Sequence, residues 1–94
     1  MTRTEADKEK KKLRLAKEQL KALKEAVRTA EKAVADTEAA IEAQEALMAT
    51  PAVYAVPEKA AEAAREYQRL KDALSAAYIV WEEAEQALSE ATEA

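Results

Sequence analysis

The chain of 94 residues contains no glycine, cysteine, histidine or phenylalanine, and it has only two prolines. Without cysteine and histidine there is neither a disulfide framework nor a thiolate or imidazole metal site. Without glycine there is no loop of the kind that cradles phosphate groups. The two serines, Ser75 and Ser89, have no histidine to act as a general base. We therefore expect a chain that is not an enzyme by itself and needs no cofactor and no metal.

Long apolar runs are also missing. The most apolar stretch, residues 73–81, is far shorter than a membrane-spanning helix. The charged N-terminal region does not look like a secretory signal, because no apolar segment follows it. We expect a cytoplasmic protein without a membrane partner.

The residues that are present are typical of a long helix or a coiled coil. Charged residues make up 36% of the chain, and alanine, glutamate, lysine and leucine are prominent throughout it. A first helix is predicted over about residues 6–48, in one unbroken heptad register. Its a positions are Ala6, Leu13, Leu20, Val27, Val34, Ile41 and Met48, and its d positions are Glu9, Ala16, Leu23, Ala30, Thr37 and Gln44. This pattern predicts a narrow seam for one partner helix. Residues 1 to about 8 lack apolar anchors and are expected to fray.

A tip is predicted over residues 49–57, where Pro51 and Pro57 interrupt the helical pattern. Proline fixes φ, lacks an N–H and disfavours the helical conformation of the residue before it. Thr50 is the expected N-cap of a short turn that ends at Tyr54. The apolar tip residues are expected to fold back on the helix ends; they are Val53, Tyr54 and Val56.

A second helix is predicted over about residues 57–91, and it carries its own heptads. Its a positions are Ala60, Tyr67, Leu74, Trp81 and Leu88, and its d positions are Ala63, Leu70, Ala77, Ala84 and Ala91. Folding back at the tip would place Val34 near Leu74 and Val27 near Trp81. The sequence thus predicts a single all-α domain over residues 1–94, a two-helix antiparallel coiled-coil hairpin with a short proline-containing tip. The residues expected to build it are Leu20, Leu23, Val27, Val34, Ile41, Pro51, Tyr54, Pro57, Tyr67, Leu70, Leu74, Trp81 and Leu88.

Charge is distributed unevenly along the chain. Residues 1–28 contain ten basic and five acidic residues, so they carry +5, and the remainder carries −9 of the overall −4. Two interpretations stay open: a solvated face that pairs with the acidic end of the second helix (82–93), or accessible cations for phosphate contacts. The candidate nucleic-acid-binding residues surround the first helix; they are Lys8, Lys10, Lys11, Lys12, Arg14, Lys17 and Lys21. Trp81 and Tyr67 lie on the heptad core, so packing is favoured over base stacking for them.

Several motifs resemble one known family. The tip reads Leu-Met-Ala-Thr-Pro-Ala-Val-Tyr over residues 47–54, and the second helix places Tyr78 before a Trp-Glu-Glu run at 81–83. Together with the alternating apolar and acidic residues of 27–45, these segments resemble the C-terminal domain of ABC-F ATPases of the Uup type. The resemblance implies a coiled-coil appendage that contacts DNA or ribosomal RNA, and the ribosome through a parent ATPase. That family's ATP-binding residues lie in other domains, so the resemblance assigns no catalytic residue here.

Two other classes of function remain open from the sequence. The C-terminal hairpin of valyl-tRNA synthetase has a similar tip, which would make this chain a tRNA-binding arm. A protein–protein coiled coil is the third class, in which an exposed flank pairs with a second hairpin. For nucleic acid, we expect weak and non-specific binding by a monomer or a weak dimer.

Overall fold

A computed structural model describes residues 2–93, and nearly all of them are helical. Helix α1 spans Arg3–Met48, the single-turn helix α2 spans Pro51–Tyr54, and helix α3 spans Pro57–Glu93. The described residues include no strand, and the molecule is a rod of 78 × 17 × 15 Å. The predicted all-α class is confirmed, and both long helices extend beyond their predicted outer ends.

Helix α1 begins at Arg3, so the structure places the described residues of the segment that was expected to fray in the helix. The cause is a capping box. The hydroxyl of Thr2 accepts from the backbone N–H of Glu5 at 3.2 Å, and the Glu5 carboxylate accepts from the backbone N–H of Thr2 at 3.2 Å. Because these bonds satisfy N–H groups that a helix start leaves free, no apolar anchor is needed. The Thr-x-x-Glu spacing at residues 2–5 was the signal for this cap.

The tip contains the short helical turn that the prolines predicted. Pro51 occupies the first turn of α2, where its missing N–H costs no hydrogen bond. The backbone at Thr50 is extended, as in an N-cap, but its side chain does not cap α2. The hydroxyl of Thr50 instead donates to the carbonyl oxygen of Leu47 at 2.7 Å and so closes the end of α1.

Only part of the tip folds back on the long helices. Val53 is half-buried, whereas Tyr54 is 60% exposed and Val56 is also exposed. Consecutive residues of a helical turn point in directions about 100° apart, so one turn buries a single face. The expectation that Tyr54 packs as a structural residue is therefore wrong, and Pro51 and Pro57 act through the backbone from exposed positions.

The predicted heptads describe the contact between α1 and α3. The buried side chains among residues 2–93 all occupy a or d positions; they are Val27, Ala30, Val34, Ile41, Ala63 and Leu70. From Leu20 onward, every a and d residue of α1 is buried or half-buried. Every a and d residue of α3 is also buried or half-buried, except Ala91, which is exposed. The long helices thus pack along the a/d faces that the sequence indicated.

Two polar contacts define which parts of α1 and α3 meet. The Gln44 side-chain amide donates to the carbonyl oxygen of Ala63 at 3.0 Å, and the Tyr78 hydroxyl donates to the Glu38 carboxylate at 2.8 Å. Later residues of α3 therefore lie beside earlier residues of α1.

On one side, Trp81 faces α1 residues that lie nearer the tip than Val27, the neighbour that the sequence predicted. Trp81 borders a shallow cavity with Glu31, Val34, Ala35 and Glu38, one heptad closer to the tip than Val27. Helical side chains lean toward their own N-terminus, which lies at the tip for α3 and away from it for α1. Both tilts bring a long α3 side chain into contact with α1 residues of higher number, which lie nearer the tip.

Candidate nucleic-acid interface

The candidate cations all lie on α1, and all of them are exposed. They are Lys8, Lys10, Lys11, Lys12, Arg14, Lys17 and Lys21. We call residues 3–28 the basic arm. None of these seven side chains lies within ion-pair distance of a carboxylate among residues 2–93. The ion pairs found there are Arg28–Glu25, Lys32–Asp36 and Arg69–Glu66, each within a single helix.

The acidic end of α3 does not neutralise the basic arm through direct contacts. In the described part of the chain, no ion pair joins α1 to α3. The expected pairing with Glu82, Glu83, Glu85, Glu90 and Glu93 is thus absent from residues 2–93. Surface ion pairs contribute little to stability, so the seam does not require them.

The first turns of the arm extend past the end of α3. Helix α1 has 46 residues and α3 has 37, a difference of about 13 Å at 1.5 Å per residue. Near the end of α3, Ala91 shares a groove with Leu13, Lys17 and Leu20. Leu13 was predicted as a seam residue, yet it is 64% exposed, because α3 ends beside it.

Most cations of the arm fall on one flank of α1. Lys10, Arg14, Lys17 and Lys21 are separated by four, three and four residues, which keeps them on one side of a helix. The same spacing adds three exposed residues that the sequence analysis did not assign to binding: Arg3, Lys24 and Arg28. At 100° per residue, these seven residues occupy an arc of about 80°, and we call them the cationic stripe.

The stripe corrects the view that the basic residues simply surround the helix. That description holds only for Lys8, Lys11 and Lys12, which lie outside the arc. The alternating spacing of three and four residues was visible in the sequence. The stripe spans about 37 Å from Arg3 to Arg28, at 1.5 Å per residue.

No acidic residue of the basic arm lies within the arc of the stripe. Of its five carboxylates, Asp7 and Glu25 come nearest and flank the arc. Glu25 pairs with Arg28 at 3.4 Å, with both side chains largely exposed. The other six stripe residues have no ion-pair partner in the described chain. The stripe is therefore a continuous positive surface.

The flank that carries the stripe becomes acidic nearer the tip, where it meets α3. The stripe includes the heptad e positions Lys10, Lys17 and Lys24, and the same column continues with Glu31 and Glu38. The Tyr78 hydroxyl donates to Glu38, which raises the pKa of Tyr78, and partial burial raises it further. On α3, the flank that includes Tyr78 continues with Glu82, Glu85, Ser89 and Thr92, so only the last two of these four are neutral.

The aromatic residues lie away from the stripe. Tyr67 and Trp81 are half-buried in the seam, and the rings of Tyr78 and Trp81 are tilted by 51° with centroids 6.2 Å apart. The Nε1 of Trp81 is buried and has no hydrogen-bond partner among residues 2–93. The exposed Tyr54 belongs to the tip, at the opposite end of the rod. The stripe thus offers charge without a stacking platform.

Residues 2–93 contain no group of acidic side chains placed to hold a metal ion. No helix among them is long and apolar enough to cross a membrane.

Comparison of the chain with protein-family models, curated proteins and solved structures gives no match. The functional interpretation therefore rests on the residues of the chain and on the motif resemblance at the tip and in α3.

Proposed function

We propose that this chain is an antiparallel coiled-coil hairpin that contacts the phosphates of DNA or RNA through the cationic stripe. The domain is non-catalytic, and it serves as the C-terminal appendage of a cytoplasmic ABC-F ATPase. The tip motif Thr-Pro-Ala-Val-Tyr and the Trp-Glu-Glu run of α3 support that parent family. The contacts Gln44–Ala63 and Tyr78–Glu38 support the antiparallel arrangement of the two long helices.

The observation that carries the nucleic-acid proposal is the continuous stripe of exposed cations. Phosphate contacts need accessible lysine and arginine side chains, and six of the seven stripe residues have no ion-pair partner in the described chain. The net charge of −4 opposes binding at long range. At physiological salt, charges more than about 8 Å apart are largely screened from each other. The charge of the stripe therefore determines the attraction to a phosphate in contact with it, whereas the net charge of the chain lowers the rate of encounter.

The binding test is a titration of labelled DNA and RNA at several salt concentrations. We expect micromolar affinity or weaker for the isolated chain, with little sequence preference. Four simultaneous phosphate contacts on a duplex would give a log–log salt slope near −3.6, or about −0.9 per contact. Absence of salt-dependent binding to any polynucleotide at low ionic strength would contradict the proposal.

A charge-reversed variant links binding to the basic arm. Changing Lys10, Lys11, Lys12 and Arg14 to Glu should weaken binding by about tenfold or more, because it reverses two cations of the stripe and adds negative charge beside the others. The melting temperature should change little, because all four side chains are exposed and none makes an ion pair in the described chain. An affinity equal to that of the wild-type chain in a folded variant would place the contact elsewhere on the molecule.

Protein pairing is the second candidate function, and exposed apolar residues on α3 favour it. Ile79 and Val80 are each 56% exposed in the central part of α3, just before the acidic Glu82 and Glu83. A concentration-dependent mass in sedimentation equilibrium, lost on changing Ile79 and Val80 to Ser, would support pairing. A monomer at high concentration would exclude self-pairing as the function.

A further inference from the structure

We infer that the cationic stripe is suited to a single-stranded polynucleotide and binds it more tightly than a duplex of the same length. This inference rests on the proposed function, since it specifies which nucleic acid the same surface prefers. It follows from the straightness and spacing of the stripe and from the absence of acidic residues within its arc.

The stripe presents cations in a straight row at regular intervals. From Lys10 to Arg28, successive stripe residues are three or four positions apart, so they recur about every 5.4 Å along α1. All of them lie in one uninterrupted helix and are exposed. A flexible strand can lie along such a row and place its phosphates against consecutive cations.

A duplex fits the same row less well. Each strand of a duplex winds once around the axis in about 34 Å, so a straight line along its surface crosses each backbone about once per turn. The stripe is about 37 Å long, hence it would cross the two backbones only two or three times, and four phosphate contacts on a duplex would have to be shared among those crossings. Cations between those crossings would face a groove.

The surroundings of the stripe limit what it can recognise. No aromatic residue lies within its arc, so bases have no platform on which to stack. On the matching flank of α3, the Ser89 hydroxyl donates to the Glu93 carboxylate, and the Thr92 hydroxyl donates to the Ser89 carbonyl oxygen. Neither hydroxyl hydrogen is therefore free to bond a base. We therefore expect backbone recognition without preference for one base.

The experiment compares two variants with the same change in charge. One changes the stripe residues Lys10, Lys17 and Lys21 to Glu, and its matched control changes the off-stripe residues Lys8, Lys11 and Lys12 to Glu. Both sets are exposed lysines of the same segment, so circular dichroism should show equal helix content. If either triple variant fails to fold, the corresponding Lys→Gln variants replace it.

The probes are a labelled thymidine oligonucleotide of about 20 nucleotides, longer than a typical single-strand site, and a blunt duplex of equal length. The wild-type chain should bind the single strand about tenfold more tightly than the duplex. Its salt slope on the single strand should approach −4, at about −0.7 for each of six contacts. The stripe variant should lose about tenfold or more in single-strand affinity, and the off-stripe control clearly less.

The outcomes separate this inference from the proposed function. Failure to bind either probe contradicts both. Binding of the duplex as tightly as the single strand, or equal losses in the two triple variants, overturns the single-strand inference and leaves nucleic-acid binding intact. A stripe variant that changes the sedimentation mass of the chain but not its oligonucleotide affinity would assign the stripe to a second copy and overturn the inference.

Discussion

The two halves of α1 share one heptad pattern but lie in different environments. Leu13 and Val34 both occupy a positions, yet Leu13 is 64% exposed and Val34 only 8%. The e column changes from lysine to glutamate between Lys24 and Glu31. The tip half packs against α3 along its whole length, whereas only the first turns of the basic half extend past the end of α3, and the stripe runs from there along the rest of that half.

This difference shows that an apolar column creates a seam only where a partner helix is present. Burial of apolar surface supplies the stabilisation, and an exposed leucine supplies almost none. The first turns of α1, which have no partner helix, are therefore held as a helix by the capping box, by their favourable composition and by continuity with the packed residues that follow Leu20. Because packing of the seam does not use the cations of the basic arm, these cations are available for a ligand.

The largest predicted loss of stability comes from the packed half, at Trp81. Changing Trp81 to Ala should lower the free energy of unfolding by roughly 2–3 kcal/mol, less than for a fully buried tryptophan, because a two-helix seam only half-buries it. Thermal melts measure the change, with the exposed Glu62→Ala as control. Equal losses in the two variants would show that Trp81 does not stabilise the seam.

A matched pair of leucines tests the comparison directly. Changing the buried Leu70 to Ala should cost about 2 kcal/mol, near the lower end for a buried leucine, because the seam is thin. Changing Leu13 to Ala should cost within about 0.5 kcal/mol, as for other surface substitutions. Urea titrations of both variants give the two values. Similar costs would mean that Leu13 is covered in solution, for example by a second copy.

The smallest effect concerns pH and the hydrogen bond between Tyr78 and Glu38. The pKa of Tyr78 is raised above its ordinary value near 10, chiefly because its hydroxyl donates to Glu38. A raised folded-state pKa favours the neutral phenol, so this contribution is complete below the unfolded-state pKa and is lost as pH rises through the folded-state pKa. The melting temperature of the wild-type chain should therefore fall slightly toward that of Tyr78→Phe above pH 10. A constant difference between the two across this range would contradict the assignment.

Sequence reasoning predicted the fold well because few residue types interrupt a helix here. Pro51 and Pro57 placed the tip, and the heptads placed the buried face from Leu20 onward. Part of the candidate site was predicted too, since four stripe residues were among the assigned cations. The missed features, the Thr2 capping box and the stripe residues Arg3, Lys24 and Arg28, had signals in residue spacing.

The sequence alone determined the helical class, the tip and the a/d faces, because proline geometry and the helical period act within one segment of chain. Only the tertiary structure decided which a residues are covered and which neighbours Trp81 meets. Both outcomes depend on where α3 ends and on how side chains lean across the seam. The tertiary structure also decided that the acidic end of α3 makes no ion pair with α1 among residues 2–93. Composition cannot predict this, since exposed charges gain too little from pairing to be drawn together.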